Sequence, residues 1–438
     1  MKTKPDPSSD KTVYLVNLGC PKNQVDGEVM LGLLAQQGYT VSLDPEQAAV
    51  LMVNTCSFIN EAKEESIETI LDLARYKAAD THKQLIVTGC LAQRYGQELR
   101  EMLPEVDVFV GTGEFVRITE IVEQKRRLLD GPLIYIGASH VLPDHTVPRI
   151  PTTHFYSAYL KVAEGCNHKC AFCIIPKIRG RQESRPIASL LAEAESLVAQ
   201  GVKEINLIAQ DLTAYGRERR DGTNLLALLK TLSTIDGLAW IRLLYCYPNY
   251  LDEPLLRFIA EEEKVCPYID MPLQHISDRM LRRMRRPYTL DDYRRVVDRI
   301  RGRLPHAGIG SDLIAGFPGE QDDDARRTLD YVSASPLTYL HVFPYSPRTG
   351  TEASGLPGRV AGPLVRERAR ALRAVGVSLS RRFRETQIGT VRSGLTLEGS
   401  AVVLTDNYLK VTVPPGQAGN LRVDVRITGA DPLTGTFE

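Results

Sequence analysis

The chain lacks a surplus of charge of either sign. Its 438 residues include 54 Lys and Arg against 54 Asp and Glu, so the formal net charge is zero. Proteins that bind nucleic acids usually carry a basic surplus, and this balance argues against an RNA or DNA partner, although a local basic patch is still allowed. No apolar run approaches the 18 residues that a membrane-spanning helix needs, so we expect no membrane partner.

The N-terminal residues 1–10 also lack the apolar core of a secretory signal. We expect a short disordered tail here and a cytoplasmic protein. Disulfides are rare in the cytoplasm, where thiols stay reduced. The eight cysteines of the chain therefore fit metal binding better than disulfide formation.

Three cysteines fall within eight residues, in the C-x3-C-x2-C run of Cys166, Cys170 and Cys173. Cubic 4Fe-4S clusters usually take four cysteines, so three local ones would leave one iron open. An open coordination position is typical of catalytic rather than structural metal sites. A zinc knuckle and a disulfide are the alternatives, but His168 lies inside the run and is poorly placed to be the fourth zinc ligand.

Three further cysteines each follow an apolar, strand-like run in the first 125 residues: Cys20, Cys56 and Cys90. Each is followed by a helical segment, predicted over 26–37, 60–77 and 92–102, and alternating strands and helices predict a parallel sheet. Residues at the carboxyl ends of parallel strands meet at one edge. We therefore expect these cysteines to converge and to hold a second 4Fe-4S cluster, again with an open iron; the alternative is three small buried side chains.

The remaining pattern predicts an α/β protein with four regions. Residues 11–126 should form the N-terminal parallel α/β domain, and the Pro- and Gly-rich residues 127–151 a linker. About six βα units in 152–381 predict a partial (β/α)6 barrel, short of the eight that close a TIM barrel. Five short apolar runs in 382–438, at 389–393, 395–398, 401–404, 409–413 and 421–427, predict a small antiparallel β-barrel of the OB kind. Because that barrel has six basic and six acidic residues, we expect it to dock protein rather than RNA.

These motifs resemble the radical S-adenosylmethionine methylthiotransferases over about residues 11–438, with a TRAM-like barrel as the last domain. One branch of that family modifies an adenosine of transfer RNA, and the other an aspartate of ribosomal protein S-twelve. The motifs that are similar to the ribosomal branch are Leu18-Gly-Cys-Pro-Lys-Asn-Gln-Val-Asp26, Cys170-Ala-Phe-Cys-Ile-Ile-Pro-Lys-Ile-Arg-Gly180, Ile208-Ala-Gln-Asp-Leu-Thr-Ala-Tyr-Gly216 and Pro272-Leu-Gln-His-Ile-Ser277. Gly27 departs from a usual serine, and Arg348 leans towards the transfer-RNA branch.

The resemblance implies a cytoplasmic enzyme with two 4Fe-4S clusters that adds a methylthio group to the β-carbon of the S-twelve aspartate. S-adenosylmethionine would supply both the radical and the methyl group, and a reduced flavodoxin- or ferredoxin-type donor the electron. Phe172, Ile314 and Gly316 match positions that line the adenine in such barrels. Polar residues at strand ends, Gln210, Asp211 and Ser311, are further candidates for contacts with S-adenosylmethionine.

Other interpretations remain open at this point. A transfer-RNA methylthiotransferase is the nearest alternative, and a non-catalytic iron-sulfur carrier or a zinc-stabilised RNA-binding protein are more distant ones. His275 could act as a general acid or base, but a hydrogen-bonded structural role is the simpler expectation. Cys246 and Cys266 are expected to be buried structural thiols. We expect a mostly solvated helix face, or else a docking surface for an acidic partner, from the arginine cluster of Arg279, Arg282, Arg283, Arg285 and Arg286.

Overall fold

The computed structural model describes residues 11–127, 131–137, 141–153, 156–397 and 401–438. The tail predicted for residues 1–10 lies outside this part of the chain. The described residues form two compact units. The N-terminal unit extends to residue 152 and also includes 164–167 and 175–185; the second unit contains 153–163, 168–174 and 186–438. The finer boundaries that we expected from the sequence remain predictions.

The N-terminal unit is built on a six-stranded parallel sheet in the order β2-β1-β3-β4-β5-β6. Its strands are β1 (Thr12–Asn17), β2 (Thr40–Val41), β3 (Val50–Thr55), β4 (Gln84–Gly89), β5 (Val108–Val110) and β6 (Leu133–Tyr135). Its helices are α1 (Pro21–Gln36), α2 (Asn60–Ala79), α3 (Cys90–Met102) and α4 (Ile118–Arg127). The strand β6 lies inside the segment that we predicted to be a linker.

Strands β3 and β4 are buried along their whole length, which explains why their sequences are continuous apolar runs rather than alternating ones. Helices pack on both faces of the sheet, and two separate hydrophobic cores result. The helix α1 begins at Pro21, five residues before the predicted start at Asp26, because proline is well tolerated at the first position of a helix.

The second unit contains a six-stranded parallel sheet in the order β14-β13-β12-β11-β10-β7. The elements of residues 157–315 are β7 (Ser157–Lys161), β8 (Ala163–Glu164), α5 (Ile175–Arg179), β9 (Glu183–Ser184), α6 (Ile187–Ala199), β10 (Glu204–Ile208), α7 (Leu225–Leu232), β11 (Trp240–Leu243), α8 (Glu253–Glu261), β12 (Val265–Asp270), α9 (Asp278–Arg283), α10 (Leu290–Arg303) and β13 (Gly308–Ala315). They continue with α11 (Asp322–Ala334), β14 (Tyr339–Pro344) and α12 (Gly362–Glu385).

This sheet confirms the predicted partial barrel of six βα units. All of its strand pairs are parallel and follow chain order from β7 and β10 to β14. Its helices cover the sheet and contribute to one large hydrophobic core. The carboxyl ends of the strands therefore meet at one face, which is where ligands bind in such folds.

The small C-terminal barrel is closed and has the strand order β15-β16-β17-β19-β18. Its strands are β15 (Val391–Thr396), β16 (Val402–Thr405), β17 (Lys410–Thr412), β18 (Arg422–Ala430) and β19 (Leu433–Phe437). The predicted total of five is confirmed, but two predicted runs are merged and β19 was missed. Gly394 does not break β15, because it gives room to Val403 on the neighbouring strand. The second merged run ended at Glu398, which lies outside the described residues.

One turn of the small barrel closes the amino-terminal end of the central sheet. The carbonyl groups of Thr405 and Asp406 accept hydrogen bonds from Arg242, at 3.3 and 2.9 Å. The side-chain amide of Asn407 donates to the backbone carbonyl of His306 at 3.1 Å, just before β13. The barrel is therefore part of the central fold and lies at the end of the sheet opposite to the carboxyl ends of the strands. Over the described residues, no helix combines the length and the hydropathy that crossing a membrane would demand.

Candidate functional site

The three N-terminal cysteines lie at the carboxyl ends of three adjacent strands, as predicted. Cys20 caps α1 after β1, Cys56 directly follows β3, and Cys90 is the first residue of α3 after β4. The strands are in matching register, since Asn17 pairs with Asn54 and Thr55 with Gly89. The sequence spaces the cysteines by more than 30 residues, and the sheet brings them to one edge.

Two glycines allow the chain to approach closely at this edge. Gly19 and Gly89 both have a φ of +94°, a backbone conformation that favours glycine. A Cβ atom on Gly19 would lie 2.8 Å from the Cβ of Cys56 and 3.2 Å from its Sγ. The close packing of residue 19 against Cys56 therefore depends on the absence of a side chain at Gly19.

The thiols of Cys56 and Cys90 are stable as protonated groups in the absence of a metal. Burial raises the pKa of Cys56 to about 12, and the nearby Cys90 and Cys20 add to the increase, while a backbone hydrogen bond from Phe58 opposes it. Burial likewise raises the pKa of Cys90, and Arg179 opposes that effect. Because a bound metal takes thiols as thiolates, binding here would release protons.

Arg179, the last residue of α5, was not predicted from the sequence as a functional residue. Its buried guanidinium lies beside the N-terminal cysteines. It is 2% exposed and forms ion pairs with Asp26 at 2.6 Å and Glu164 at 3.0 Å. It also donates to the side-chain oxygen of Asn23 and lies 3.6 Å from the Sγ of Cys90. Burial disfavours its charge, but Glu164 and Asp26 hold the pKa of Arg179 well above its usual value. The arginine therefore stays charged beside Cys90.

The loop that carries Cys170 and Cys173 is fixed by backbone hydrogen bonds within the second unit. Cys173 donates its N–H to the carbonyl of Cys170 at 3.0 Å, closing a tight turn. Ala171 between them donates to the carbonyl of Met284, and its own carbonyl accepts from Ala353 at 2.8 Å. Cys166 belongs to the N-terminal unit, where its N–H donates to the carbonyl of Gly180 at 3.1 Å.

A second buried arginine that the sequence did not single out as special lies at the Cys170 loop. Arg286 donates to the Sγ of Cys170 at 3.3 Å and is 7% exposed. Its guanidinium lies over the rings of Tyr247 and Tyr288, 4.3 and 5.0 Å from their centroids. Within its cluster, from Arg279 to Arg286, we had expected mainly a solvated helix face. That expectation is wrong for Arg286, because these rings and the Cys170 loop cover it.

Asp211, a predicted contact for S-adenosylmethionine, is held by protein groups. Its carboxylate caps the short 3-10 helix Leu212–Ala214 by accepting from Ala214 and from the hydroxyl of Thr213. It also lies 2.6 Å from the Nε2 of His168, which stacks on Tyr247 with the ring centroids 4.0 Å apart. The carboxylate thus positions the loop of the Cys166–Cys173 motif. The neighbouring Gln210 is half-buried, at the end of β10.

Two of the predicted adenine-lining residues meet in one hydrophobic cluster. Phe172 and Ile314 both pack against the cluster of Ala171, Met280, Met284, Phe317 and Ala353. Gly316, with a φ of +77°, lies just after β13, and a Cβ atom there would lie 2.4 Å from Val365. Gly316 therefore serves the packing of α12 at this end of the sheet.

Ser311 lies in the interior of the second unit. It is fully buried, donates its hydroxyl to the carbonyl of Met271 at 2.9 Å and accepts from the N–H of Leu273 at 3.1 Å. The hydroxyl of Tyr293 lies 3.2 Å away. These contacts connect β13 to the segment after β12. A contact between Ser311 and a cofactor stays a prediction.

Three other residues follow the simpler expectation. His275 is 1% exposed, and its Nδ1 accepts from the N–H of Ser277 at 3.0 Å. Burial lowers the pKa of His275 to about 4, so the ring is neutral near pH 7. Cys246 and Cys266 are 0% and 1% exposed, and burial raises the pKa of both thiols.

The donor sets fit iron-sulfur clusters better than a single ion. Among the described residues, no three Cys, His, Asp or Glu side chains are close enough to share one metal ion. A cubic cluster does not require this, because each cysteine binds a different iron and the sulfurs stand apart. Three thiols at one sheet edge, with a buried cation beside them, suit an anionic cluster with thiolate ligands.

Comparison with known proteins assigns two regions of the chain to families. Residues 12–111 match the uncharacterized protein family UPF0004, and residues 160–332 match the radical SAM superfamily. The chain is 47% identical to the ribosomal protein uS12 methylthiotransferase RimO of Geotalea uraniireducens, over 87% of this chain and 85% of the relative. It is 48% identical to the enzyme of the same name from Citrifermentans bemidjiense, with the same coverage.

Solved structures agree on the fold. The radical S-adenosylmethionine methyltransferase TsrM of Kitasatospora setae, with cobalamin and a [4Fe-4S] cluster bound, superimposes with a TM-score of 0.54 at 18% identity. The match covers 79% of this chain and 77% of that one. At this level of identity the likeness concerns the fold alone.

Proposed function

The chain belongs to the ribosomal protein uS12 methylthiotransferase family, and on that premise we propose that it adds a methylthio group to the β-carbon of an aspartate in this ribosomal protein. Its family relatives are named for the same substrate at 47–48% identity over most of the chain. A protein that modifies a ribosomal protein works where ribosomes are assembled, which supports a cytoplasmic location. The observation that carries the proposal is the convergence of Cys20, Cys56 and Cys90 at one sheet edge. A separate C-x3-C-x2-C motif lies in the part of the sequence that matches the radical SAM superfamily.

We assign the metal ligands by position. Cys166, Cys170 and Cys173 would hold one 4Fe-4S cluster, and Cys20, Cys56 and Cys90 a second. When bound with S-adenosylmethionine, the first cluster supplies one-electron reduction that generates a radical, and the second supplies a site for sulfur. Each set contributes three thiolates, so each leaves one iron for a ligand that is not protein.

The described residues would orient and shield these groups. The Asp211–His168 hydrogen bond and the stacking of His168 on Tyr247 fix one part of the Cys170 loop. Phe172 and Ile314 would form an apolar wall that excludes water from the reacting cofactor, since both lie in the same cluster. The contacts of Gln210, Asp211, Ser311 and Gly316 with S-adenosylmethionine remain part of the proposal.

Arg348, the residue that leaned towards the transfer-RNA branch, has a role in this loop. Its Nη1 donates to the carbonyl of Phe172 at 2.9 Å. An arginine that holds the cysteine loop would be useful with either substrate, so Arg348 does not favour transfer RNA. We also propose a reduced flavodoxin- or ferredoxin-type protein as the electron donor.

Two measurements test the proposal. Anaerobically reconstituted protein should contain about eight irons and eight acid-labile sulfides per chain, and the triple variant C20A/C56A/C90A about four of each. Four irons in the parent, unchanged in the triple variant, would remove the second cluster. Mass spectrometry on a deletion strain should show protein uS12 without the methylthio mass; an intact uS12 with loss of a methylthioadenosine from transfer RNA would instead select the other branch.

A further inference from the structure

Arg179 and Arg286 are both buried beside a cysteine, but different groups surround their charges. Arg179 is paired with two carboxylates, those of Asp26 and Glu164, so its charge is more than offset. Arg286 is surrounded by neutral groups: the hydroxyl of Tyr288 at 2.8 Å and the carbonyl of Pro272 at 3.2 Å. In the part of the chain that the structure describes, no carboxylate forms an ion pair with Arg286.

The guanidinium of Arg286 is also fixed in place. It lies over the rings of both Tyr247 and Tyr288, which contact each other edge to face at an interplanar angle of 70°. The hydroxyl of Tyr288 accepts from Arg286 and is itself tied to the carbonyls of Pro272 and Leu273. A buried charge is screened far less by salt and water than an exposed one. The positive charge of Arg286 is therefore only weakly screened at the sulfur of Cys170, 3.3 Å away.

We propose that Arg286 is a positioning residue that raises the reduction potential of the cluster on Cys166, Cys170 and Cys173, and so allows it to accept an electron. This inference rests on the proposed function, because it requires a cluster on these cysteines. Reduction adds one electron to the cluster, and the donor, a one-electron reductant, loses one. The added negative charge is stabilised by a nearby cation and by N–H groups that donate to the cluster sulfurs.

Arg179 and Arg286 differ in the net positive potential that each produces at its neighbouring cysteine. A guanidinium that is neutralised by two carboxylates adds little net positive potential, so its main effect is to hold Asp26 and Glu164 in place. An unpaired guanidinium at a ligand sulfur has a direct electrostatic effect on the metal site. Arg179 thus has a mainly structural role beside its cysteines, whereas Arg286 has an electrostatic one.

The test uses a background with only one cluster. The variant C20A/C56A/C90A is reconstituted under anaerobic conditions and titrated with dithionite, and the reduced cluster is followed by electron paramagnetic resonance. Arg286→Gln is then compared with Arg286→Lys and with Arg285→Gln in the same background. Arg285 is the matched control, because it is the adjacent arginine but is half-exposed and paired with Glu352 at 2.8 Å.

We expect R286Q to shift the midpoint potential to a more negative value, R286K to lie between R286Q and the background, and R285Q to leave the potential unchanged. An R286Q potential equal to that of the background overturns the inference. An R286Q protein that holds less than half of the background's iron also overturns it, because the charge is then needed for cluster binding rather than for the potential. A background that binds no iron at all refutes instead the proposed function.

Discussion

The guanidinium of Arg179 and the carboxylate of Asp26 lie 2.6 Å apart, although 153 residues separate them in the sequence. Both side chains are at most 5% exposed, and Glu164 completes the buried cluster at 3.0 Å from the same guanidinium. The contact connects the helix that follows Cys20 to the helix that follows Cys173, within the N-terminal unit. The contribution of this contact to the free energy of unfolding can be measured on the metal-free protein.

Replacing Arg179 by methionine should destabilise the metal-free protein by about 3–5 kcal/mol, because it leaves two buried carboxylates without a partner. Urea unfolding of the apo-protein measures this loss. The exposed Arg117, which pairs with Glu114 and Glu120, is the control, and R117M should leave the unfolding midpoint almost unchanged. Equal losses of unfolding free energy for the two substitutions would show that the buried ion pairs of Arg179 stabilise the protein no more than the exposed ones of Arg117.

The variant Gly19→Ala should lose iron from the N-terminal site. The new Cβ atom would lie 2.8 Å from the Cβ of Cys56, so Cys56 must move away from residue 19. Gly38 offers a matched control: its φ is +83°, but nothing lies within 4 Å of a Cβ atom there. We expect G38A to cost about 1 kcal/mol of stability from backbone strain alone and to keep its iron.

Iron and sulfide analysis of both glycine variants, reconstituted side by side with the parent, distinguishes these effects. G19A should retain about four irons, those of the Cys166–Cys173 site, and G38A about eight. Should G19A bind as much iron as G38A, the close approach at Gly19 would have no bearing on the metal site.

His275 should make stability depend on pH between its ordinary and its native pKa. Burial lowers the pKa from 6.5 to about 4, although Asp324 acts in the opposite direction. Between pH 4 and 6.5 the unfolded chain binds a proton that the folded protein does not, so stability rises with pH in this range and its contribution is complete above 6.5. The loss on acidification is about 3 kcal/mol at most.

The difference between the parent and His275→Asn isolates this contribution. Asparagine keeps an acceptor for the N–H of Ser277 but cannot bind the proton. Urea unfolding at several pH values should give a difference that shrinks as the pH falls from 6.5 towards 4. Parallel curves for the two proteins would mean that His275 titrates normally in the fold.

Trp240, the single tryptophan of the chain, should report the attachment of the C-terminal barrel. It is 1% exposed and packs in one cluster with Cys266 and Leu395, the last of which belongs to β15 of the barrel. Leu395→Ala should shift the Trp240 fluorescence to longer wavelength by admitting water, and should cost about 2–5 kcal/mol.

Leu433 provides the control for that experiment. It is 7% exposed and lies in the separate core of the small barrel. Leu433→Ala should destabilise the barrel but leave the native emission of Trp240 at its original wavelength. A red shift of similar size in both variants would mean that the fluorescence follows general loosening rather than contact at Leu395.

The cysteine positions could be predicted because they depend on local pattern. Strand-like runs that end in cysteine, followed by helical segments, place Cys20, Cys56 and Cys90 at one edge of any parallel sheet. The partial barrel followed from the same alternation in residues 152–381. In both regions each strand pairs with a near neighbour in the sequence, so local periodicity carries most of the information.

The buried arginines could not be found in this way. Arg179 meets Asp26 across 153 residues and Arg286 meets Cys170 across 116, and no local pattern distinguishes them from solvated arginines. A weak signal was present for Arg179, since it lies in the quoted motif that follows Cys173. The barrel strand β19 was missed because its Gly and Thr residues hardly alternate in polarity, and closure of the barrel supplies its stability instead.

The hydrogen bond from Arg242 to the carbonyl of Asp406 joins groups 164 residues apart. Ribosomes make a chain from its N-terminus, so β11 leaves the exit tunnel long before its cap exists. Arg242, 0% exposed in the finished protein, must until then remain hydrated at an unsealed strand end. The middle of the protein therefore reaches its final packing only once residues 405–406 have been made, and a stop codon before them would remove a contact that buries Arg242.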